Sequence, residues 1–266
     1  MKCLCDRPEL IKAFQYDCPP EGETRFNWMG QIYKRGYWQC QNCGHWSAEI
    51  GMDLTNFYSG GYVDGTYGEK IRESYLKILA LPAEQSDNHG RVRRVLEYAE
   101  KHLEKKETHT LLDVGSGLAV FPYRMKEAGW NVTALDPDAR AAAHAREVAG
   151  VRAIHADFLT WEPKPDERFD LITLNKVLEH VEDPIAMLSR ARRWIRPGGL
   201  LYVEVPDASA AQEGPEREEF FIEHLQVFSA QSLAAALDKG RWQAQQITAV
   251  REPSKKYTLF AFSTKK

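Results

Sequence analysis

From residue 110 onward, short apolar runs alternate with stretches in which apolar residues recur every three or four positions. The runs near 110–114, 131–135, 152–155, 169–174 and 199–205 read as strands, and the stretches near 118–128, 138–148, 184–195 and 229–238 read as helices. Such alternation predicts a parallel sheet covered by helices on both faces. Two further strands, near 243–250 and 256–263, are separated only by 251–255, short enough for a hairpin. Upstream, Val92, Val95, Leu96, Ala99 and Leu103 share one helical face, which predicts an amphipathic helix over 91–105. Residues 69–79 read as another helix, stopped before Pro82, and 83–90 as a polar turn. The first 50 residues have little regular periodicity. The pattern divides the chain into a small module (1–55), a Gly/Tyr-rich lid with a connecting helix (56–90) and a main domain (91–266).

Composition narrows the class. A chain of 266 residues with 43% hydrophobic content can bury a sizeable core, and its formal net charge is only −3. Basic runs interleaved with aromatics are missing, which argues against a nucleic-acid partner. Arg190, Arg192 and Arg193 fall within an apolar helical pattern and read as a solvated face. No apolar stretch approaches the ~18 residues of a membrane span, and the N-terminus lacks the apolar core of a signal peptide, so a cytoplasmic protein is expected.

All five cysteines lie in the first 43 residues. In a reducing compartment, clustered cysteines more often hold metal than form disulfides. Cys40-Gln41-Asn42-Cys43-Gly44 has the form of a zinc knuckle, and Cys3-Leu4-Cys5 supplies the other half with a spacing one residue short. That departure leaves Cys18 and His45 as substitutes for one ligand. A group of free thiols in a loop-rich segment is the plainer alternative.

The sharpest local signal is Leu111-Leu112-Asp113-Val114-Gly115-Ser116-Gly117, an apolar strand that ends in an acid and enters a glycine turn. Glycines there allow a tight turn and a close approach of ligand to backbone. A second strand ends at Asp136, about 20 residues on, where nucleotide-binding folds place a ribose-binding carboxylate. Val120 stands where a dinucleotide site wants a small residue, and Asp113 would repel a pyrophosphate. Both features disfavour a nicotinamide-dependent oxidoreductase. A ligand carrying an ammonium and a sulfonium suits Asp113 better.

At these residues the chain resembles the class I S-adenosylmethionine-dependent methyltransferases, over roughly residues 90–266. The resemblance continues through Ala134-Leu135-Asp136-Pro137, His155-Ala156-Asp157-Phe158 and Phe169 to Val181, followed by Arg196-Pro197-Gly198-Gly199. It implies a Rossmann-like α/β fold with a seven-stranded sheet, the C-terminal hairpin adding an antiparallel strand. It also implies that Asp113, Gly115, Ser116 and Gly117 surround the methionine portion of the cofactor and that Asp136 and Pro137 meet the ribose. Asp157 and Phe158 would hold the adenine, and Asn175 would lie near the sulfonium.

The acceptor half is written elsewhere. Glu223-His224 lies beyond the fifth strand, on the loop that roofs the substrate pocket, and an acid beside a histidine there suits a general base. The zinc-like N-terminus with this late Glu-His pair is similar to sugar C-methyltransferases, which implies a sugar or nucleotide-linked sugar as the small-molecule acceptor. Where those enzymes use a tyrosine near the pair, Phe221 stands here. Glu179-His180 reads as structural or cofactor-side. Tyr62 and Tyr67, beside Gly61 and Gly68, read as a lid over the methionine end of the cofactor. Two other readings remain: a methyltransferase whose zinc module docks a protein or RNA acceptor, and a cofactor-binding module without turnover. Oligomeric state is left open.

Overall fold

A computed structural model describes residues 3–23, 30–52 and 70–266. Tyr62 and Tyr67 lie outside the described residues. The N-terminal part forms β1 (Leu10–Tyr16), β2 (Arg35–Cys40) and β3 (Trp46–Ile50), paired antiparallel in that order. Two helices follow, α1 (Ile71–Leu79) and α2 (Asp87–His102). The alternating part then runs β4 (Thr110–Val114), α3 (Val120–Glu127), β5 (Asn131–Asp136), α4 (Ala139–Glu147), β6 (Arg152–His155), β7 (Phe169–Asn175), α5 (Pro184–Trp194) and β8 (Ile195–Pro206). The last elements are β9 (Gln226–Val227), α6 (Ala230–Lys239), β10 (Trp242–Arg251) and β11 (Tyr257–Lys265).

The main sheet has seven strands in the order β10-β11-β8-β7-β4-β5-β6. β4, β5, β6, β7 and β8 are parallel, and β11 joins β8 antiparallel. The Rossmann-like sheet and its terminal hairpin are as expected. Strand order reverses between β4 and β7, so the carboxyl ends of those two strands border the crevice in which such sheets bind ligands. One apolar layer packs α5 and α6 on one face, centred on Leu174, Leu188, Val203 and Leu237. The other packs α2, α3 and α4 on the opposite face through Val95, Phe121, Ala145 and Tyr202. Tyr98 of α2 stacks on Phe262 of β11, with centroids 3.8 Å apart.

Two boundaries differ from the sequence expectation. α2 begins at Asp87, four residues before 91, because Ser86 caps it by accepting a hydrogen bond from His89 N. Gly90 suggested a turn but sits inside the helix. β8 begins at Ile195 and carries the Pro-Gly-Gly sequence within the strand, where a Cβ on Gly199 would meet Asp170 O at 2.9 Å.

The larger difference lies at the N-terminus, where a four-stranded sheet stands in the order β1-β2-β3-β9. Its fourth strand comes from residues 226–227, close to the other end of the chain. The small sheet is thereby built onto the segment that carries Glu223 and His224. Arg35 donates to Phe220 O (2.7 Å) and to Glu23 Oε2 (2.6 Å), and Glu23 Oε2 also accepts from Ile222 N (2.8 Å). Tyr37 donates through its hydroxyl to Phe221 O at 3.1 Å and to His224 O. No helix among the described residues is long and apolar enough to cross a membrane.

The Arg35–Glu23 pair has side-chain exposures of only 1% and 0%. Removing one partner of such a pair strands the other charge, at a cost of about 3–5 kcal/mol. Arg35→Ala is therefore expected to lower the unfolding midpoint strongly. The double change Arg35→Met, Glu23→Leu is expected to recover most of the loss, as read by thermal and urea unfolding.

Candidate functional site

The carboxyl ends of β4 and β5 are tied together by main chain and one carboxylate. Gly115 N donates to Leu135 O at 2.7 Å, and Gly117 N donates to Asp136 Oδ2 at 2.8 Å. The other oxygen of Asp136 accepts from Asp138 N at 2.9 Å, so the acid is held rigid at the end of β5. Burial raises its carboxyl above the ordinary range. Gly115 has φ +70°, and a Cβ there would stand 2.7 Å from Val177 Cγ2. Only glycine satisfies both conditions at once.

Asp113, 2% exposed, lies beneath this turn. Its Oδ1 accepts from Thr173 Oγ1 (2.6 Å) and Asn175 Nδ2 (2.7 Å), both from β7. Burial outweighs these bonds and pushes the carboxyl up to about 6. Ser116 Oγ donates to Asp113 O at 3.0 Å and closes the turn. Asn175 Oδ1 is buried and has no hydrogen-bond partner among the described residues. Thus Asp113, Gly115, Ser116, Gly117, Asp136 and Asn175 come together around one crevice.

The third strand end is looser. Asp157 is exposed, and its Oδ1 accepts from Leu159 N at 2.8 Å in a local turn. Pro137 offers its carbonyl to His155 Nε2 at 3.0 Å. Phe158 is only 2% exposed and packs in the apolar layer with Leu135, so its ring does not present the open face expected for an adenine.

At the end of β7 the chain makes a 3-10 turn, Leu178–His180. Leu225 N donates to Glu179 O at 2.7 Å and brings the late segment against this turn. His180 and His224 face each other, with ring centroids 5.0 Å apart. His180 Nδ1 bonds Glu223 O at 2.7 Å, and His224 Nδ1 bonds Glu219 O at 3.0 Å. Burial lowers the pKa of both imidazoles, that of His224 well below its ordinary value. Glu179 is fully buried with neither carboxylate oxygen partnered among the described residues, and burial pushes it up to about 8.

Glu223 and His224, expected together on the late loop, do lie there, but the side chains are not hydrogen-bonded to each other. Glu223 contributes its main-chain carbonyl, which orients His180, while Glu179 and His180 are the neighbours of His224. Lys176, which sequence reasoning passed over, has φ +57° and donates through Nζ to Thr258 Oγ1 at 2.8 Å. Close by, fully buried Glu204 accepts from Arg91 Nε (2.9 Å), Arg94 Nη2 (3.1 Å) and Tyr202 OH (2.8 Å). An acid on a strand read as wholly apolar was the one available sign of that network.

The four cysteines Cys3, Cys5, Cys40 and Cys43 converge at the edge of the small sheet. Sγ separations are 3.5 Å for Cys3–Cys5, 3.3 Å for Cys3–Cys43 and 3.7 Å for Cys5–Cys40. Four thiolates at ~2.3 Å from a tetrahedral zinc would stand ~3.8 Å apart, so the donor set fits that ion. Although burial opposes it, hydrogen bonds from the Cys43 and Asn42 backbone hold the Cys40 thiol down at about 6. Of the two substitutes, Cys18 is exposed and outside the cluster, and His45 is buried with Nδ1 on Ser232 Oγ at 3.2 Å.

A family profile described as a methyltransferase domain matches residues 84–240, more than half of the chain. The chain belongs to this methyltransferase family. The methyltransferase is 32% identical over 139 residues to an uncharacterised methyltransferase of Mycobacterium tuberculosis, covering 51% of this chain and 66% of that protein. The chain thus spans slightly less than two thirds of that relative. A ubiquinone biosynthesis O-methyltransferase of Paramagnetospirillum magneticum is 35% identical over 94 residues, 34% of this chain and 38% of the relative. Among solved structures, the 1,6-didemethyltoxoflavin-N1-methyltransferase of Burkholderia thailandensis superposes with TM-score 0.58 at 18% identity, covering 85% of this chain and 96% of that one. An N-methyltransferase of Bradyrhizobium japonicum, in complex with S-adenosyl-L-homocysteine, gives 0.51 at 17% identity, covering 73% and 97%. At these identities the likeness is one of fold.

Gly115→Ala in this methyltransferase combines a left-handed backbone with a steric clash, and is expected to cost about 1–3 kcal/mol. Adding Val177→Ala removes the clash but not the backbone strain, so it is expected to restore part of the lost stability. Thermal unfolding of the single and double variants measures both.

Proposed function

We propose that the chain transfers a methyl group from S-adenosylmethionine to a small-molecule acceptor, with a sugar or nucleotide-linked sugar as the favoured class. The supporting observation is the crevice at the β4–β7 reversal, where the Gly115–Gly117 turn is bonded to Asp136 and Asp113 is buried beneath it. In this reading Asp113 and Asn175 serve the cationic methionine end, Asp136 and Pro137 serve the ribose, and Asp157 serves the adenine edge. Methyl transfer from a sulfonium already has an activated leaving group, so positioning and handling of the acceptor proton are what the protein supplies. His224 stands at that acceptor end, with Glu223 placing its neighbour His180.

Among the relatives and structural neighbours, the ubiquinone biosynthesis and 1,6-didemethyltoxoflavin enzymes are named for small molecules, which supports that half of the reading. Polar, buried groups around His224 suit a hydroxyl-bearing molecule. The division into 1–55, 56–90 and 91–266 belongs to the same proposal, the first part holding one zinc on Cys3, Cys5, Cys40 and Cys43. Four reduced thiols suit a cytoplasmic location.

Calorimetry with S-adenosylmethionine is expected to show one site per chain, and Asp136→Ala is expected to weaken it at least tenfold. The absence of binding to the unaltered protein would sink the reading. Asp113 is protonated and neutral below about pH 6 and anionic above it. Affinity for the cationic donor should therefore rise with pH, about tenfold between pH 5 and 7 if only the ionised form binds well. Asp113→Asn should flatten that dependence.

Elemental analysis is expected to find one zinc held by the cysteine cluster. Cys43→Ser should lower the zinc content and the melting temperature together. Full zinc retention in that variant would count against the assignment.

A further inference from the structure

We propose that Glu179, His180 and His224 hold one divalent transition-metal ion at the acceptor end of the crevice, where it binds a hydroxyl oxygen of the acceptor and makes that hydroxyl more acidic. The proposal rests on the methyltransferase reading and gives His224 its chemical role. One ligand atom from each of the three residues lies within 4.8 Å of the others, on two segments that Leu225 N and Glu179 O bind together.

The hydrogen bonding separates a metal site from a catalytic dyad. In a histidine–carboxylate dyad the acid accepts the Nδ1 proton of the imidazole. Here His180 Nδ1 and His224 Nδ1 each face a main-chain carbonyl, which can only accept, so each Nδ1 carries the hydrogen. The lone pair of each neutral ring is therefore on Nε2, and a carbonyl bonded to the other nitrogen is the usual outer partner of a metal-ligating histidine. Glu179 accepts from neither Nδ1, and it has 0% exposure with neither oxygen partnered among the described residues.

An unpartnered buried carboxyl is costly to keep, and the Lys176 ammonium, which donates to Thr258 Oγ1, makes no hydrogen bond to it. A cation bound by two imidazoles and this carboxylate resolves the deficit. Two nitrogens and an oxygen donor suit zinc, iron(II) or manganese, and three protein ligands leave a position for the acceptor. The four-thiol cluster has sulfur donors only, so the two sites are chemically distinct.

The transfer balances as follows. The acceptor O–H gives its proton to water, and the oxygen lone pair forms a bond to the methyl carbon as the carbon–sulfur bond breaks. The electron pair of that bond returns to sulfur, leaving a neutral thioether. Metal coordination serves to populate the alkoxide-like acceptor at neutral pH.

Cobalt(II) added to the full, zinc-replete chain tests the site without turnover. The expected result is one equivalent bound with visible d–d absorption and no thiolate-to-cobalt charge-transfer band in the near ultraviolet. Glu179→Gln and His224→Ala should each weaken this binding at least tenfold while melting cooperatively and keeping affinity for S-adenosylmethionine. If one variant fails to fold, the other decides. No cobalt binding outside the cysteine cluster in the unaltered protein would overturn the proposal, as would undiminished binding in the folded variants. Loss of S-adenosylmethionine binding by the unaltered protein, with cobalt still bound, would instead overturn the donor reading alone.

Discussion

The meeting of His180 and His224 in this methyltransferase depends on a strip of main chain, residues 219–228, being gripped from two sides. Leu225 N donates to Glu179 O in the turn after β7, and Leu225 O accepts from Ala48 N of the small sheet. Each such bond contributes only about 1 kcal/mol net, but losing one inside the protein strands a buried polar group at a larger cost. The strip therefore has one register. That register sets His224 opposite His180 and turns the carbonyls of Glu219 and Glu223 toward the two rings. A slip of one residue would point His224 away and leave Glu179 facing empty chemistry.

The crevice at the β4–β7 reversal is built differently, and this explains why it was legible in the sequence. Its parts are local: a strand, a glycine turn and an acid at the next strand end, each specified by residues a few positions apart. The convergence of Asp113, Gly115, Gly117 and Asp136 could be read because it follows from strand ends and backbone freedom. The seven-stranded sheet was legible for the same reason, from periodicity alone. Asn175 Nδ2 on Asp113 Oδ1 adds a tie between β7 and β4 that joins the halves on either side of the reversal.

What escaped the sequence is what long-range pairing creates. Glu223 and His224 are adjacent along the chain, and adjacency suggested a working pair. In the folded protein residues 221–224 form a turn, closed by His224 N on Phe221 O at 3.0 Å, and His224 meets residues 44 and 45 positions earlier. The small sheet was illegible because one of its four strands is two residues long and comes from far downstream. Phe158 misled for a simpler reason: a large aromatic beside a site is as readily core as it is a stacking platform, and here it is core. The cysteines needed no periodicity, and their convergence followed from composition and redox chemistry.

β9 has a consequence for how the polypeptide can be divided. The knuckle carbonyl of Cys43 accepts from Ser229 Oγ at the cap of α6, Leu4 packs in the apolar layer under α5 and α6, and β3 is completed by residues 226–227. A cut anywhere between the two sheets would leave one piece with an open strand edge and the other without the Cys43 carbonyl at Ser229 Oγ and with a hole where Leu4 packs. The N-terminal sheet and the layer of α5 and α6 must therefore be expressed and recombined as one unit. A chimera that exchanges the strip bearing His224 would have to carry β1, β2 and β3 with it.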